Sequence, residues 1–272
     1  MSTYFIGDIH GCYNQFKFLL KKINFNILTD ELWITGDLVG RGPDSFKVLK
    51  YIFSLKNKAR LVLGNHDLTL ISIYYGTHKK SIEKEISELL EKKDIDYIIN
   101  KLRHIPLVQY DKKRKLIMTH AGIFPKWNFN EILNFSNEFQ KNILGTNFLK
   151  YLRYMNGDFP NIWSNNLNKY DRFRFIVNVF TRMRYCYLNG ELDFSYKDTP
   201  PHFNNNIIPW INIKNELDKD FLIFFGHWSS LKNIKISKNI FSLDSGCCWG
   251  RYLKIFRLED KKFFKKKCNF KI

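Results

Sequence analysis

The stretch Tyr4-Phe5-Ile6-Gly7-Asp8-Ile9-His10-Gly11 passes from an apolar run into a glycine-bracketed Asp-x-His. Tyr4–Gly7 reads as a strand, so Asp8 and His10 stand where it opens into a loop. Beyond the loop, Tyr13–Ile23 sets Phe16, Leu19, Leu20 and Ile23 on one helical face. Glu31–Thr35 follows as a strand, Ser45–Ser54 as a helix and Arg60–Leu63 as another strand. This strand–helix–strand–helix–strand order predicts an α/β layered core.

The strand-end pattern recurs. Gly36-Asp37, Gly64-Asn65-His66-Asp67, Thr119-His120-Ala121-Gly122 and Gly226-His227 each put Asp, Asn or His at the end of an expected strand. Such ends are where α/β sheets open a crevice for ligands, and neighbouring glycines permit tight turns and close approach. Singly, an Asp-x-His is more often a local hydrogen-bonding pair, and Gly-Asn-His-Asp is equally a capped turn. Alone, His120 or His227 reads as a core or surface histidine. Together the motifs mark one site. The donors Asp8, His10, Asp37, Asn65, His120 and His227 suit octahedral divalent ions such as Mn2+, Fe2+, Co2+ or Mg2+. No thiolate within the motifs favours a closed zinc site. Six ligands exceed what one catalytic ion with open water positions needs, so two ions sharing a bridging carboxylate are expected.

Further along, Ser81–Arg103 reads as helical, with Ile82, Ile86, Leu89 and Leu90 as its apolar stripe. Leu107–Tyr110 and Leu116–Thr119 form an expected hairpin around Lys112-Lys113-Arg114. Asn128 to Trp210 is less regular and aromatic-rich, with a helix expected over Glu138–Tyr154. It reads as an insertion that covers the core and shapes a pocket. Trp163, Tyr170, Phe173 and Trp210 are its candidate stacking faces, against the competing reading of core packing under a lid. Strands return at Phe221–Phe225, Ile234–Ile236, Ile240–Ser242 and Tyr252–Leu258. One domain over 1–272 is expected, with insertions at about 70–105 and 128–215.

Composition narrows the class. With 44% hydrophobic residues, the 272-residue chain can bury a core without disulfides. Its five scattered cysteines form no CxxC pair and suit a reducing compartment. The first strand is expected almost at Met1, so no cleavable signal is expected. No apolar run approaches the roughly 20 residues of a membrane span. A cytoplasmic protein is expected. The net charge of +18 accompanies heavy use of Lys, Asn, Ile and Phe, whose codons are AT-rich. Mutational drift accounts for it. The alternative is a positive field that steers polyanions and weakens with salt.

The strings Gly7–Cys12, Gly36-Asp37-Leu38-Val39-Gly40-Arg41-Gly42-Pro43-Asp44-Ser45 and Gly64–Asp67 resemble those of the calcineurin-like metallophosphoesterases. Thr119–Pro125, Phe180–Tyr185, Gly226-His227-Trp228 and Ser242–Cys247 extend the resemblance over nearly the whole chain. These later runs are most similar to the bacterial branch that cuts dinucleoside tetraphosphates symmetrically. The resemblance implies a four-layer αββα sandwich with a helical, aromatic insertion over the site. It implies Asp8 and His10 on a first ion, Asp37 as bridge, and Asn65, His120 and His227 on a second ion. Mn2+ or Co2+ is expected ahead of Mg2+ or Fe2+. His66 would be the general acid and Arg41 would grip phosphate oxygens. Arg182 and Arg184 would add a second phosphate clamp, their alternative being an ordinary basic helix face.

One departure matters. Related protein phosphatases carry Asp before the arginine of the second motif, where it supports the catalytic histidine; here that position is Gly40. Orientation of His66 then falls to another group, with Asp67 as the candidate. The implied reaction is hydrolysis of diadenosine tetraphosphate at its central anhydride, giving two ADP, by a hydroxide bridging the ions. A protein serine/threonine phosphatase is the first rival, disfavoured by Gly40 and by the Ser242–Cys247 ending. A middle possibility is that the enzyme also removes nucleoside-tetraphosphate caps from RNA, with the basic surface holding the RNA backbone. A nucleic-acid-binding protein with a decayed site is disfavoured by the intact ligand set. No membrane and no obligate protein partner are expected.

Overall fold

A computed structural model describes residues 1–78, 81–197, 206–231 and 237–268. The opening third follows the expected alternation: β1 (Thr3–Ile6), α1 (Tyr13–Lys22), β2 (Glu31–Ile34), α2 (Ser45–Ser54), β3 (Ala59–Leu61) and α3 (Asn65–Tyr74). The stretch Ser81–Arg103 is two helices rather than one, α4 (Lys84–Leu90) and α5 (Ile95–Arg103). The break follows Leu90, where Glu91-Lys92-Lys93-Asp94 supplies no apolar side chain to continue the stripe. The hairpin forms as β4 (Val108–Asp111) and β5 (Leu116–Thr119), paired antiparallel.

The stretch from Asn128 to Trp210 is more regular than its sequence suggests. It holds α6 (Phe129–Leu144), α7 (Phe148–Met155) and α8 (Lys169–Arg182). A small sheet follows, in the order β7 (Leu192–Asp193), β6 (Tyr185–Tyr187), β8 (Ile207–Pro209). The helix expected over Glu138–Tyr154 is cut at Gly145, which leaves helical geometry at ψ 167°. Glycine favours such an exit because it carries a high entropic cost inside a helix. After α9 (Leu217–Asp220) come β9 (Leu222–Phe225), β10 (Ile240–Ser242), β11 (Tyr252–Arg257) and β12 (Lys262–Lys267). The strand expected at 234–236 lies outside the described residues.

Two sheets carry the site. One runs β12-β11-β1-β2-β3 and the other β10-β9-β5-β4. β1, β2 and β3 are mutually parallel, as are β5, β9 and β10. Alternation along β1 explains how the sheets meet. Phe5 points inward and stacks on Phe224 of the other sheet with ring centroids 3.7 Å apart. Around that pair Trp33, Val62, Leu116, Met118, Leu243 and Phe256 close a dry seam between the sheets. Tyr4 and Ile6 point the other way, into the core shared with Phe16, Leu19 and Leu20 of α1. α1 packs on β11 and β12 while α6 lies against β4, so helices sit outside the paired sheets. No helix among the described residues is long and apolar enough to cross a membrane.

Candidate metal and phosphate site

Every parallel strand of the two sheets releases a functional side chain just past its C-terminal end. β1 leads to Asp8 and His10, β2 to Asp37, β3 to Asn65 and His66, β5 to His120, β9 to His227 and β10 to Asp244. Residues far apart in sequence thus meet along one edge of the sandwich, as open α/β sheets arrange.

Backbone strain gathers there. His10, Asp37, Arg41 and His227 all hold positive φ, at 44°, 47°, 62° and 62°. Non-glycine residues in this region cost of order 1–3 kcal/mol each, and such outliers cluster at functional sites. Two glycines are required by close approach. A Cβ at Gly64 would collide with the Asp37 carboxylate, and one at Gly226 with Asp8 and Thr35.

Hydrogen bonds to main-chain carbonyls set the imidazole tautomers. His10 Nδ1 lies 3.1 Å from Val39 O and His120 Nδ1 2.7 Å from Thr35 O. A carbonyl only accepts, so Nδ1 carries the proton and Nε2 presents its lone pair. Both Nε2 atoms are 3.5 Å from Asp37 Oδ2. His227 is reversed: Nε2 donates to Arg182 O at 3.1 Å, leaving Nδ1 free. Donor atoms of His10, Asp37 and His66 fall within 4.8 Å of one another, as do those of Asp37, His120 and His227. Asp37 is common to both groups. Asn65 Oδ1 sits 3.1 Å from His120 Nε2 and joins the second group.

Electrostatics match a cation site. Burial pushes His10 down to about 4, and burial also lowers His120 and His227, so all three are neutral at neutral pH and can ligate. Asp8 is driven well above the usual carboxylate range by burial and by the carboxylates of Asp244 and Asp37. Burial pushes Asp244 up to about 6, Asp37 adding to it. Crowded buried carboxylates among neutral imidazoles are a donor set that divalent cations neutralise. The residues present fit such ions.

A cavity of about 490 Å³ opens over this cradle. Its wall includes Arg41, Arg182, Arg184 and Arg251, with Trp249 and Tyr196 as aromatic faces. Arg41 stacks its guanidinium 4.5 Å above the Trp249 ring. Arg184 donates through Nη2 to His227 O at 3.0 Å, and its buried Nε has no protein partner. Arg182 pairs with Asp158 at 2.7 Å and lies over Phe194. A second cavity, of about 620 Å³, shares Asn65, Arg182, Phe194 and Lys197 with the first.

Asp67 does not orient His66. Its two oxygens accept from the backbone N–H of Leu38 at 2.9 Å and of Gly64 at 3.0 Å, closing the first turn of α3. Asp37 lies near His66, and Glu83, just before α4, borders the space beside Gly40. A Cβ placed on Gly40 would lie 3.1 Å from His66 Nδ1 and 3.6 Å from Glu83 Oε2. The expected stacking residues are also elsewhere. Phe173 and Trp210 are fully buried, Trp163 packs on Trp127 and Phe135, and Tyr170 stacks on Tyr154. Sequence reading gave no role to Asp244, although it stands in the Ser242–Cys247 run. Thr35 was likewise passed over as the last residue of an expected strand. Phe194, Tyr196, Trp249 and Glu83 carry no periodic signal that could have marked them.

A family model for calcineurin-like phosphoesterases matches residues 1–262. The chain is 48% identical over 264 residues to the symmetrical bis(5'-nucleosyl)-tetraphosphatase of Buchnera aphidicola subsp. Schizaphis graminum, covering 97% of each. It is 46% identical to the enzyme of the same name from Erwinia tasmaniensis, over 97% of this chain and 96% of that one. Among solved structures, a candidate diadenosine tetraphosphatase superposes at TM-score 0.65 with 20% identity, over 98% of this chain and 93% of that one. A protein serine/threonine phosphatase from Saccharomyces cerevisiae does so at TM-score 0.55 with 13% identity, over 99% and 80%. At those identities the structural likeness is one of fold.

Proposed function

The chain belongs to the calcineurin-like phosphoesterases, and from that membership we propose that it hydrolyses dinucleoside tetraphosphates at the central anhydride, releasing two nucleoside diphosphates. The observation that carries this reading is the pair of adjoining cavities at the cradle, joined through Asn65, Arg182, Phe194 and Lys197. A substrate with phosphates in the middle and a nucleoside at each end needs room on both sides of the scissile bond. A monoester needs it on one.

The family implies divalent metal ions. In our reading two would be held, Asp8 and His10 serving one, Asn65, His120 and His227 the other, and Asp37 both. Mn2+ or Co2+ suits this mixture of oxygen and nitrogen donors. When bound, such ions supply an acidified water and neutralise charge on the attacked phosphoryl group. The chain's own residues do the rest. Arg41, held by Trp249, offers a planar fork for two phosphate oxygens, which Lys would not reproduce. Arg184 lines the same cavity, with its Nη2 held on His227 O. His66, whose backbone N–H is fixed to Asp37 Oδ1 at 2.8 Å, protonates the leaving oxygen. Glu83 borders the space that Gly40 leaves open beside the His66 ring. Trp249 and Tyr196 offer faces for a base.

Removal of tetraphosphate caps from RNA would use the same cut, with the lysine-rich surface adding a salt-sensitive hold on the chain. The ligand assignment is tested by Asp37→Asn, which should abolish turnover with any divalent ion. Retained turnover at normal metal content would overturn it.

A further inference from the structure

We propose that Cys12, Cys247 and Cys268 form a second metal site, separate from the carboxylate–imidazole cradle, which takes one thiophilic d10 ion such as Zn2+ or Cu+. Three distant parts of the chain deliver these thiols. Cys12 precedes α1, just past the first motif; Cys247 begins the short turn Cys247–Trp249 after Asp244; Cys268 directly follows β12. Each is free, and each is only 1% exposed. Their Sγ atoms lie within 4.8 Å of one another.

The backbones that present the thiols are tied down. Cys12 N–H donates to Ile9 O at 2.8 Å and Cys268 N–H to Arg251 O at 2.8 Å. Gly246 and Gly250, both at φ 72°, bracket the turn that carries Cys247. The convergence is therefore built by the fold. A Zn–S bond of about 2.3 Å places tetrahedral or trigonal sulfurs roughly 3.8–4.0 Å apart, so closing the present triangle needs shifts of under about 1 Å. The other cysteines are engaged elsewhere or outside the triangle: Cys186 Sγ lies 3.5 Å from Met183 Sδ, and Cys248 is not a member.

Ligand chemistry separates the two sites. Oxygen and imidazole donors favour ions such as Mn2+ and Co2+, whereas three thiols select soft ions. Binding a divalent ion sends the remaining thiol protons to solvent and leaves a trithiolate complex with one net negative charge. Lys265, Lys266 and Lys267 precede Cys268 on β12 and supply positive charge nearby. No electron is transferred and no oxidant is needed. An ion here would fasten the end of β12 to the loops that carry Asp8, His10 and Asp244.

The test is a Cd2+ titration of the reduced full chain with Mn2+ in excess to fill the cradle, reading the ultraviolet sulfur-to-cadmium charge-transfer band. The cradle contains no sulfur, so the band reports thiolates alone. The expected result is one Cd2+ per chain, unchanged in Cys186→Ser and lost in Cys268→Ser, whose folding is checked by circular dichroism. A reduced wild-type chain that gives no band overturns the proposal, as does a Cys268→Ser chain that keeps it.

Discussion

His227 donates its backbone N–H to Asp8 Oδ2 at 2.8 Å, a bond that spans 219 positions of the chain. It ties the motif after β9 to the motif after β1, one from each sheet. The other oxygen of Asp8 accepts from Thr35 Oγ1 at 3.0 Å, while the Thr35 carbonyl takes the Nδ1 proton of His120. Thr35 thus orients two candidate ligands at once without touching the cavity.

Residues that orient ligands typically change metal affinity about 10–100-fold when altered. Thr35→Val keeps the shape and the carbonyl but removes the hydroxyl. It should weaken divalent-ion affinity within that range, read by titrating activity with Mn2+. Unchanged affinity would show that Asp8 needs no such support.

His66 and Glu83 should matter in proportion to the leaving group. General acid help is worth about 10²–10⁴-fold, and a departing nucleoside diphosphate needs less of it than an alkoxide. His66→Asn should therefore cost less on diadenosine tetraphosphate than on an alkyl or aryl monoester. Glu83→Gln should repeat the contrast with a smaller loss and normal metal content. Equal losses of His66→Asn on both substrates would remove the general-acid role.

Without metal, stability should fall as pH rises from about 6.5 to 8. The sign follows from two opposed sets of groups. His10, His120 and His227 have folded values below the ordinary 6.5, so their contribution grows with pH but is complete near 6.5. Asp8 is raised well above the ordinary range, and burial with Asp37 pushes Asp67 up to about 8. Above 6.5 the native state holds protons that the unfolded chain has released, and stability declines. Saturating Mn2+ should flatten the slope, because the metal displaces the proton from Asp8 while Asp67, which is not a ligand, keeps its own. Melting temperatures of chelated and Mn2+-loaded protein at pH 6.5 and 8 check this; parallel slopes would contradict it.

The parts legible in sequence share a cause. Asp8, His10, Asp37, Asn65, His120 and His227 sit beside glycines at strand ends, and both strands and glycines leave short-range signatures. Hydrophobic runs likewise located β1, β2, β5 and β9, because a doubly covered sheet demands continuous apolar segments. What was not legible depends on packing over long range. Locally, Gly64-Asn65-His66-Asp67 reads both as a capped turn and as a site motif, and only packing decides that the Asp67 oxygens close the helix turn. Nothing local to Phe173 or Trp210 separates a stacking face from a core ring. Gly40 announced a missing carboxylate, yet Glu83 reaches that space from a different helix. The splitting of 81–103 and 138–154 turned on short polar or glycine breaks within otherwise helical patterns.

The products of hydrolysis identify which phosphoanhydride is cut. Diadenosine tetraphosphate incubated with the protein and Mn2+ or Co2+ should yield two ADP as the only nucleotides. AMP together with ATP would contradict the account.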